Sequence, residues 1–424
     1  MEFGIIFITL FALILFGVPI AYSIGLSTAL FLTVTHMKPL VVLSQRSVLG
    51  MDSFVLLAIP LFTLSGYLME SGGLSKRLID CVEKLFGWIP GSMGTITIIC
   101  CTLFAALTGS GPATVAAIGA LMIPSMMKAG YSRSTASGLL AAGGALGPII
   151  PPSIPIIVYG CTMSVSVPKL FMAGILPGIL LAVLFIITNT IIAIRGGIKA
   201  ERIKYTGREV LISIWKALGV LLLPVIVLGG IYGGFFTPTE AATVCVIYSL
   251  ILGMIFKELS FERFKAAMTK TIQTSAMVVF IVGMSNCFGW TLAVAKIPAK
   301  IANAVIPYLH NRVSYLIILM LILFLVGCIM ETLSSIVILG PILVPIGIEL
   351  GINPVHLGAV FCVCLVVGFI TPPFGLNLFT AASTANTSFS EVVKGVWPFL
   401  IAAAVAVVVI AFVPQLSLAL LGGQ

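Results

Sequence analysis

IGALMIP at residues 118–124, followed by GPIIPPS at 147–153, returns as LGPILVP at 339–345 followed by GFITPPF at 368–374. The spacing is constant: Gly119 and Gly340, Pro124 and Pro345, Gly130 and Gly351, Gly147 and Gly368, Pro151 and Pro372, and Pro177 and Pro398 are each 221 residues apart. Each copy puts a proline break inside a membrane-length apolar segment. Lipid offers no partner to a freed backbone N–H or C=O, so such a break is costly. It is tolerated where unwound backbone lines a cavity or holds an ion, as in many secondary transporters. These two stretches point to a transporter.

Composition sets the solvent. Of 424 residues, 60% are hydrophobic and only 8% charged, and the mean hydropathy is +1.24. A soluble domain carries about a quarter of its residues as charges. The chain reads as a polytopic α-helical membrane protein. Its net charge of +9 sits in short loops between apolar spans, which orients the chain in a bilayer and is no nucleic-acid signal. The charge-free run from Phe3 to Thr35 is too long for a signal h-region and has no basic segment before it. It reads as one retained helix. The nine cysteines fall mostly within apolar spans, including the pair Cys100 and Cys101, without metal-ligand spacing. They read as small buried thiols.

Loop charges give the topology. The densest basic loop holds Arg195, Lys199, Arg202, Lys204, Arg208 and Lys216, and the next holds Lys257, Arg263, Lys265 and Lys270. Two apolar stretches, 217–233 and 240–256, separate them, so both loops fall on the cytoplasmic side together. Backwards from Arg195, residues 170–194 cross once and 134–165 cross with the GPIIPPS break. The run 88–127 has basic flanks at both ends and suits a re-entrant hairpin tipped at Thr108 to Thr114. Residues 51–70 and 3–34 then cross once each, which places the N-terminus in the cytoplasm. Forwards from Lys270, residues 271–293 cross, 313–350 form a second hairpin tipped at Met330 to Ser335, 354–385 return through GFITPPFGLN, and 395–414 cross again.

The two halves then run in opposite directions across the bilayer. The expected fold is all-α and polytopic: an inverted-topology repeat with two re-entrant helical hairpins and two broken helices. The first copy covers 1–195 and the second 236–424. Between them, 196–235 supplies a basic cytoplasmic segment and one linking span that lets the second copy insert upside down. Inverted repeats are the structural basis of alternating access.

Hard cations such as Na⁺ prefer oxygen ligands, which unwound carbonyls and Ser, Thr and Asn side chains supply. The first half offers Thr108, Ser110, Thr114 and Ser153. The second offers Glu331, Thr332, Ser334, Ser335, Thr371, Asn377 and Thr380. Any single hydroxyl of this kind can instead bond back to the preceding helical turn. Helix N-termini after the breaks would aim positive dipole ends inward, which suits an anionic solute. Glu331 is a carboxylate inside a long apolar run, and either caps the hairpin tip or faces the cavity. Glu240, after a proline at a helix start, reads as a cap; Asp52, Glu70 and Lys296 read as snorkelling charges at span ends. Asn286, mid-span, either bonds between helices, the favoured reading, or lines the cavity. The histidines lack ligand spacing, and no GxxxxGK[ST] is present, so the chain is not read as a P-loop ATPase.

GSGPATVAAIGALMIPSM, AAGGALGPIIPPSIPIIVYG, GGFFTPTEAA and GFITPPFGLNLF, in that order, resemble the large membrane subunit (M subunit) of tripartite ATP-independent periplasmic (TRAP) transporters, the DctM-like permeases. The resemblance covers essentially the whole chain. It implies an elevator-type carrier in a bacterial inner membrane, in which two hairpins and two broken helices slide past a scaffold, driven by an inward Na⁺ gradient. It implies two partners, a small four-helix membrane subunit and a periplasmic substrate-binding protein. The chain begins directly with the first large-subunit span, so the small subunit is expected as a separate polypeptide. By motif position, Na⁺ would bind where Ser110, Gly111 and Thr114 meet Gly147, Pro148 and Ser153. The second Na⁺ position would be where Glu331, Thr332, Ser334 and Ser335 meet Gly368, Thr371 and Asn377. Ser153, Ser335, Asn377 and Thr380 are the candidates for solute contact. The family's solutes are mostly organic acids, including C4-dicarboxylates and sialic acids, yet neither tip nor break carries an Arg or Lys to clamp a carboxylate.

No cofactor other than the coupling ion is expected, and no enzyme activity. The alternative is a stand-alone ion-coupled anion carrier of similar architecture. An intramembrane enzyme would need a catalytic pair at membrane depth that the sequence does not display.

Overall fold

The computed structural model describes residues 2–89, 91–198, 205–305 and 311–422. Lys199, Arg202 and Lys204 of the densest basic loop lie outside the described residues. The first half contains α1 (Glu2–Leu15), α2 (Ile20–Thr35), α3 (Val41–Met51), α4 (Ala58–Ser71), α5 (Leu74–Phe86), α6 (Ser92–Thr108), α7 (Gly111–Lys128), α8 (Arg133–Gly144), α9 (Ile154–Met163) and α10 (Val167–Arg195). The second contains α11 (Gly207–Tyr232), α12 (Pro238–Ile255), α13 (Phe261–Val294), α14 (Ile297–Val305), α15 (Arg312–Ile329), α16 (Thr332–Glu349), α17 (Pro354–Gly368), α18 (Leu376–Thr384) and α19 (Phe389–Phe412). Among the described residues there is no strand, and eight helical stretches are long and apolar enough to cross a membrane.

The repeat extends to element ends. Hairpin limbs α7 and α16 each have 18 residues and start and stop 221 positions apart. The cis peptide bonds Pro151–Pro152 and Pro372–Pro373 keep the same offset. The breaks divide α8 from α9 and α17 from α18, where Pro148, Pro151 and Pro152, and Pro372 and Pro373, interrupt the hydrogen-bond ladder.

Two expectations need correction. The run 3–34 is not one helix: Gly17, at a φ of 79°, and Pro19 split it into α1 and α2, which pack against each other. Nor is the span of 196–235 an extra insertion. His36 and Lys257, both left-handed (φ 48° and 55°), end α2 and follow α12 at positions 221 apart. That pairing makes α12 the counterpart of α2, and α11 the counterpart of α1.

The helices gather into two groups. α1 to α4 pack with α11, α12 and α13, and α13 touches α2, α3 and α4. Buried polar contacts join this group, with Ser65 and Ser249 hydroxyls 2.9 Å apart and Thr239 Oγ1 donating to Phe54 O at 2.9 Å. The second group holds the hairpins, the broken helices, α10 and α19. Within it α18 packs on α7 while α9 packs on α16, so each broken helix embraces the hairpin of the other copy. α5, an amphipathic helix, bridges the groups through α6 and α11. Arg77 on α5 pairs with Glu258 at 3.2 Å and stacks over Phe256 at 3.7 Å.

Several local readings hold. Glu240 closes a capping box with Thr237, accepting from its backbone N–H at 2.8 Å. Eight of the free cysteines are buried and Cys161 is half-buried. Asn189, fully buried on α10, donates to Gly91 O at 3.0 Å and Thr95 Oγ1 at 3.2 Å, and accepts from Tyr131 at 2.9 Å. It fastens the base of the first hairpin to α10. Asn189→Leu strips partners from three buried groups and is expected to cost about 2 kcal/mol, read as a lower thermal unfolding midpoint in detergent.

Candidate functional site

The two hairpin tips and the two breaks meet around one small pocket of about 100 Å³. Its walls are the first residues of four half-helices. Gly111 and Pro112 open α7, and Ile154 and Pro155 open α9. Thr332 and Leu333 open α16, and Leu376 opens α18. Each helix start carries unsatisfied N–H groups and the positive end of a dipole, equivalent to roughly half a unit charge. The cap residues Ser110, Glu331 and Gly375 offer no side-chain cap to their helices. Only Ser153 does so: its hydroxyl accepts from Ile156 N at 3.3 Å and donates to Pro148 O. α7 and α16 therefore keep their leading N–H groups for whatever occupies the pocket, whereas in α18 Asn377 N donates to Phe369 O at 3.1 Å and Leu378 N to Gly375 O at 2.9 Å. Neither Arg nor Lys lines the pocket, and the helix starts are its sources of positive potential.

Glu331 resolves between its two readings. It makes no side-chain cap bond to α16 and lines both this pocket and an adjoining space of about 520 Å³. Ser334 shares that second space, together with Met277 and Phe280 of α13.

The candidate oxygens divide into two sets. Thr114 Oγ1 donates to Ser110 O at 2.8 Å and lies 3.2 Å from Thr108 Oγ1. Ser335 donates to Glu331 O at 2.9 Å, Thr371 to Val367 O at 2.9 Å and Thr380 to Leu376 O at 3.0 Å. These four side chains are engaged by their own helical turns, and none of the four lines the pocket. By contrast Thr332 Oγ1, Ser334 Oγ and Asn377 Oδ1 are buried and, among the described residues, have no hydrogen-bond partner. Unpaired buried oxygens are costly and suit a cation: Thr332 lines the pocket, Ser334 lines the adjoining space, and Asn377 lines neither.

Asn377 is not where the motif order put it. Instead of joining Glu331 to Ser335, it crosses to the first copy, donating to Ala141 O at 3.2 Å. A β-carbon on Gly111 would lie 2.8 Å from Asn377 Oδ1 and 3.0 Å from Gly144 O. Glycine alone leaves those two oxygens facing a common space. Ser110, Gly111 and Pro148 do come together with Glu331 and Thr332 around the pocket. Gly147 and Gly368 are contact points between backbones: a β-carbon on Gly147 would meet Ser110 O at 2.7 Å, and one on Gly368 would meet Gly327 C at 2.3 Å.

Sequence reading overlooked Thr274 and Met277, which line the pocket from α13. Both sit in an unbroken 34-residue helix with no local signal to single them out.

The profile of a family described as "Tripartite ATP-independent periplasmic transporter, DctM component" matches residues 7–416. The chain belongs to this family. It is 38% identical to the C4-dicarboxylate TRAP transporter large permease protein DctM of Pseudomonas aeruginosa, over 94% of this chain and 93% of that one. To the 2,3-diketo-L-gulonate TRAP transporter large permease protein YiaN of Escherichia coli it is 36% identical, over 94% of each chain. To the isethionate TRAP transporter permease protein DctMQ of Oleidesulfovibrio alaskensis it is 39% identical over 95% of its own length, but spans only 64% of that longer protein. Among solved structures, the YdaH transporter of Alcanivorax borkumensis superposes with a TM-score of 0.57 at 15% identity, covering 85% of this chain and 84% of that one. That likeness shows the fold alone. As a DctM-family chain the protein is a multi-pass membrane permease and not an enzyme.

Thr332→Val separates the two uses of a buried hydroxyl. Removing an unpaired oxygen at nearly constant volume is expected to leave the unfolding midpoint unchanged or raise it, while the Na⁺ concentration for half-maximal uptake rises about tenfold. Ser335→Ala, at a back-bonded hydroxyl, is expected to leave Na⁺ dependence unchanged.

Proposed function

We propose that this DctM-family permease is the large membrane subunit of a Na⁺-coupled importer of an organic acid. The observation that carries the proposal is the convergence of four helix N-termini, three without side-chain caps, on one pocket lined by the unpaired Thr332 hydroxyl, with the unpaired Ser334 Oγ in the adjoining space and Asn377 Oδ1 near Gly111. Backbone N–H groups suit a carboxylate, and the oxygens suit Na⁺. A volume of about 100 Å³ takes an anionic head group, and the adjoining space past Glu331 and Met277 takes the remainder of the solute. Relatives named for C4-dicarboxylate, 2,3-diketo-L-gulonate and sialic acid support an organic acid as solute.

Transport proceeds by an elevator movement. The hairpins and broken helices form one packed group, and α13 of the other group runs past α16. A hydrogen bond from Ser285 to Val337 O, at 3.3 Å, crosses that contact. Such a thin polar tie favours sliding over hinging. A small membrane subunit and a periplasmic binding protein complete the system, in the inner membrane. Crossing parity gives the orientation. With α1 and α2 as separate crossings, each copy has an odd number, so the copies invert without an added span. Basic loops at Arg195 and at Lys257 to Lys270 are cytoplasmic, and the start of α1 lies on the outside, the reverse of what a single helix over 3–34 implies.

The test is uptake into proteoliposomes holding this chain, its small subunit and its binding protein. Uptake of an organic acid that needs an inward Na⁺ gradient and the binding protein supports the proposal. Uptake indifferent to Na⁺ contradicts it, and Na⁺-driven uptake by this chain alone would make it a stand-alone carrier.

A further inference from the structure

A larger cavity, of about 700 Å³, opens further along α13, its wall beginning at Val282, one helical turn past Val278 of the pocket at the helix starts. Its place in the fold is fixed by α13. That helix carries Arg263, Lys265 and Lys270 in its first turns and lines the cavity from Val282 to Ala293, and Lys270 and Trp290 are about 30 Å apart along it at about 1.5 Å per residue. One wall belongs to the α3 and α13 group: Arg46, Asn286, Trp290 and Lys296. The facing wall belongs to the hairpin group: Thr162 and Ser164 at the end of α9, and Pro341 and Pro345 of α16. The cavity is therefore a cleft between the two groups, on the face opposite the basic loops.

Its charge is unusual for such a place. Arg46 and Lys296 are two cations on one wall, against a single carboxylate, Glu349. Among the described residues neither cation forms an ion pair. Arg46 stands 4.7 Å over the Trp290 ring, which holds the guanidinium in place while leaving its N–H fork for another acceptor. Lys296 follows α13 in a left-handed conformation, at a φ of 52°, which turns the chain sharply from α13 into α14 at the cavity rim. The sequence reading of Lys296 as a snorkelling span end accounts for neither the turn nor the cavity.

We infer that this cleft is an entry site for the anionic group of the solute, a carboxylate or sulfonate, with Arg46 and Lys296 as its first electrostatic contacts. Resting on the transport reading above, this adds where the solute is met before it reaches the helix starts. The cations stand on one group and the uncharged hydroxyls of Thr162 and Ser164 on the other. The facing wall also carries the Glu349 carboxylate at the end of α16, so an anion is attracted to the Arg46 and Lys296 wall and meets the hydroxyls of Thr162 and Ser164 across the cleft. An anionic lipid headgroup carries the same chemistry and could fill the same cleft.

The experiment uses the full chain in nanodiscs of zwitterionic lipid, with the exposed Trp88, Trp215 and Trp397 replaced by Phe so that Trp290 alone reports. Sodium succinate and sodium 2-hydroxyethanesulfonate are titrated against sodium chloride at equal ionic strength. The inference expects a saturable change in Trp290 fluorescence with at least one of the organic anions. Lys296→Gln and Arg46→Gln should each raise the half-saturation about tenfold, and Lys296→Arg should restore it. No saturable change with either anion, or no effect of both Gln variants, overturns it. A change that appears only with phosphatidylglycerol, and that soluble anions do not reverse, assigns the cleft to lipid and also overturns it. Proteoliposome uptake separates this from the transport reading. If the wild-type chain takes up the acid while both Gln variants keep its half-saturation, the entry site falls and the transporter stands. If Trp290 binds the anion with no Na⁺-driven uptake, the site stands and the transport reading falls.

Discussion

Gly368→Ala is expected to abolish transport and to cost about 3 kcal/mol or more of stability, the upper range for overpacking a core. The added methyl would sit 2.3 Å from Gly327 C and 2.5 Å from Gly327 Cα, which are backbone atoms of α15 that cannot rotate aside. α17 must then separate from α15, where the second hairpin is held against its broken helix. Because α17 ends at this residue and the break follows, the shift carries directly into Thr371 to Gly375. Thermal unfolding in detergent, with and without Na⁺, measures the first effect, and proteoliposome uptake the second. Gly4→Ala, whose added methyl would meet only Ile8 Cδ1 at 3.4 Å, is the matched control and should behave as wild type.

Asn377→Ala is expected to raise the Na⁺ concentration for half-maximal uptake by more than tenfold, with a stability loss of only about 1–2 kcal/mol. The side chain is fully buried and ties the break of one copy to α8 of the other through Ala141 O. Deleting it removes one neutral hydrogen bond, which sets the modest stability term. It also removes Oδ1, which faces Gly144 O across the space left by Gly111 and is a proposed cation ligand. A purely structural Asn377 would give the stability loss with no change in Na⁺ dependence. Asn377→Asp keeps an oxygen at the site and should retain more Na⁺ affinity than the alanine variant.

Much of this architecture is legible in the residues themselves. A proline in lipid removes a hydrogen bond that nothing else replaces, so Pro151, Pro152, Pro372 and Pro373 announce the breaks, and their constant offset announces the repeat. The division of the first apolar run was not legible in that way. Gly17 and Pro19 interrupt it without any charge, and a lone Gly-x-Pro resembles a kink until the left-handed His36 is seen to match Lys257. Helix starts that aim their dipoles inward are legible from the breaks, but which hydroxyls stay unpaired is not. Thr332 and Thr371 look equivalent in sequence; the first is orphaned and the second bonds to Val367 O. That difference depends on side-chain rotamer and packing. The crossing of Asn377 into the first copy is a contact between residues 236 positions apart, and local spacing carries no trace of it.

The most direct measurement for the central claim, that the pocket at the four helix starts binds Na⁺ together with an organic anion, is the Na⁺ dependence of organic-acid uptake by the Thr332→Val, Ser334→Ala double variant in proteoliposomes. Half-maximal Na⁺ raised by more than tenfold, with an unfolding midpoint no lower than that of the wild-type chain, is the result expected. An unchanged Na⁺ dependence in a stably folded double variant would contradict it.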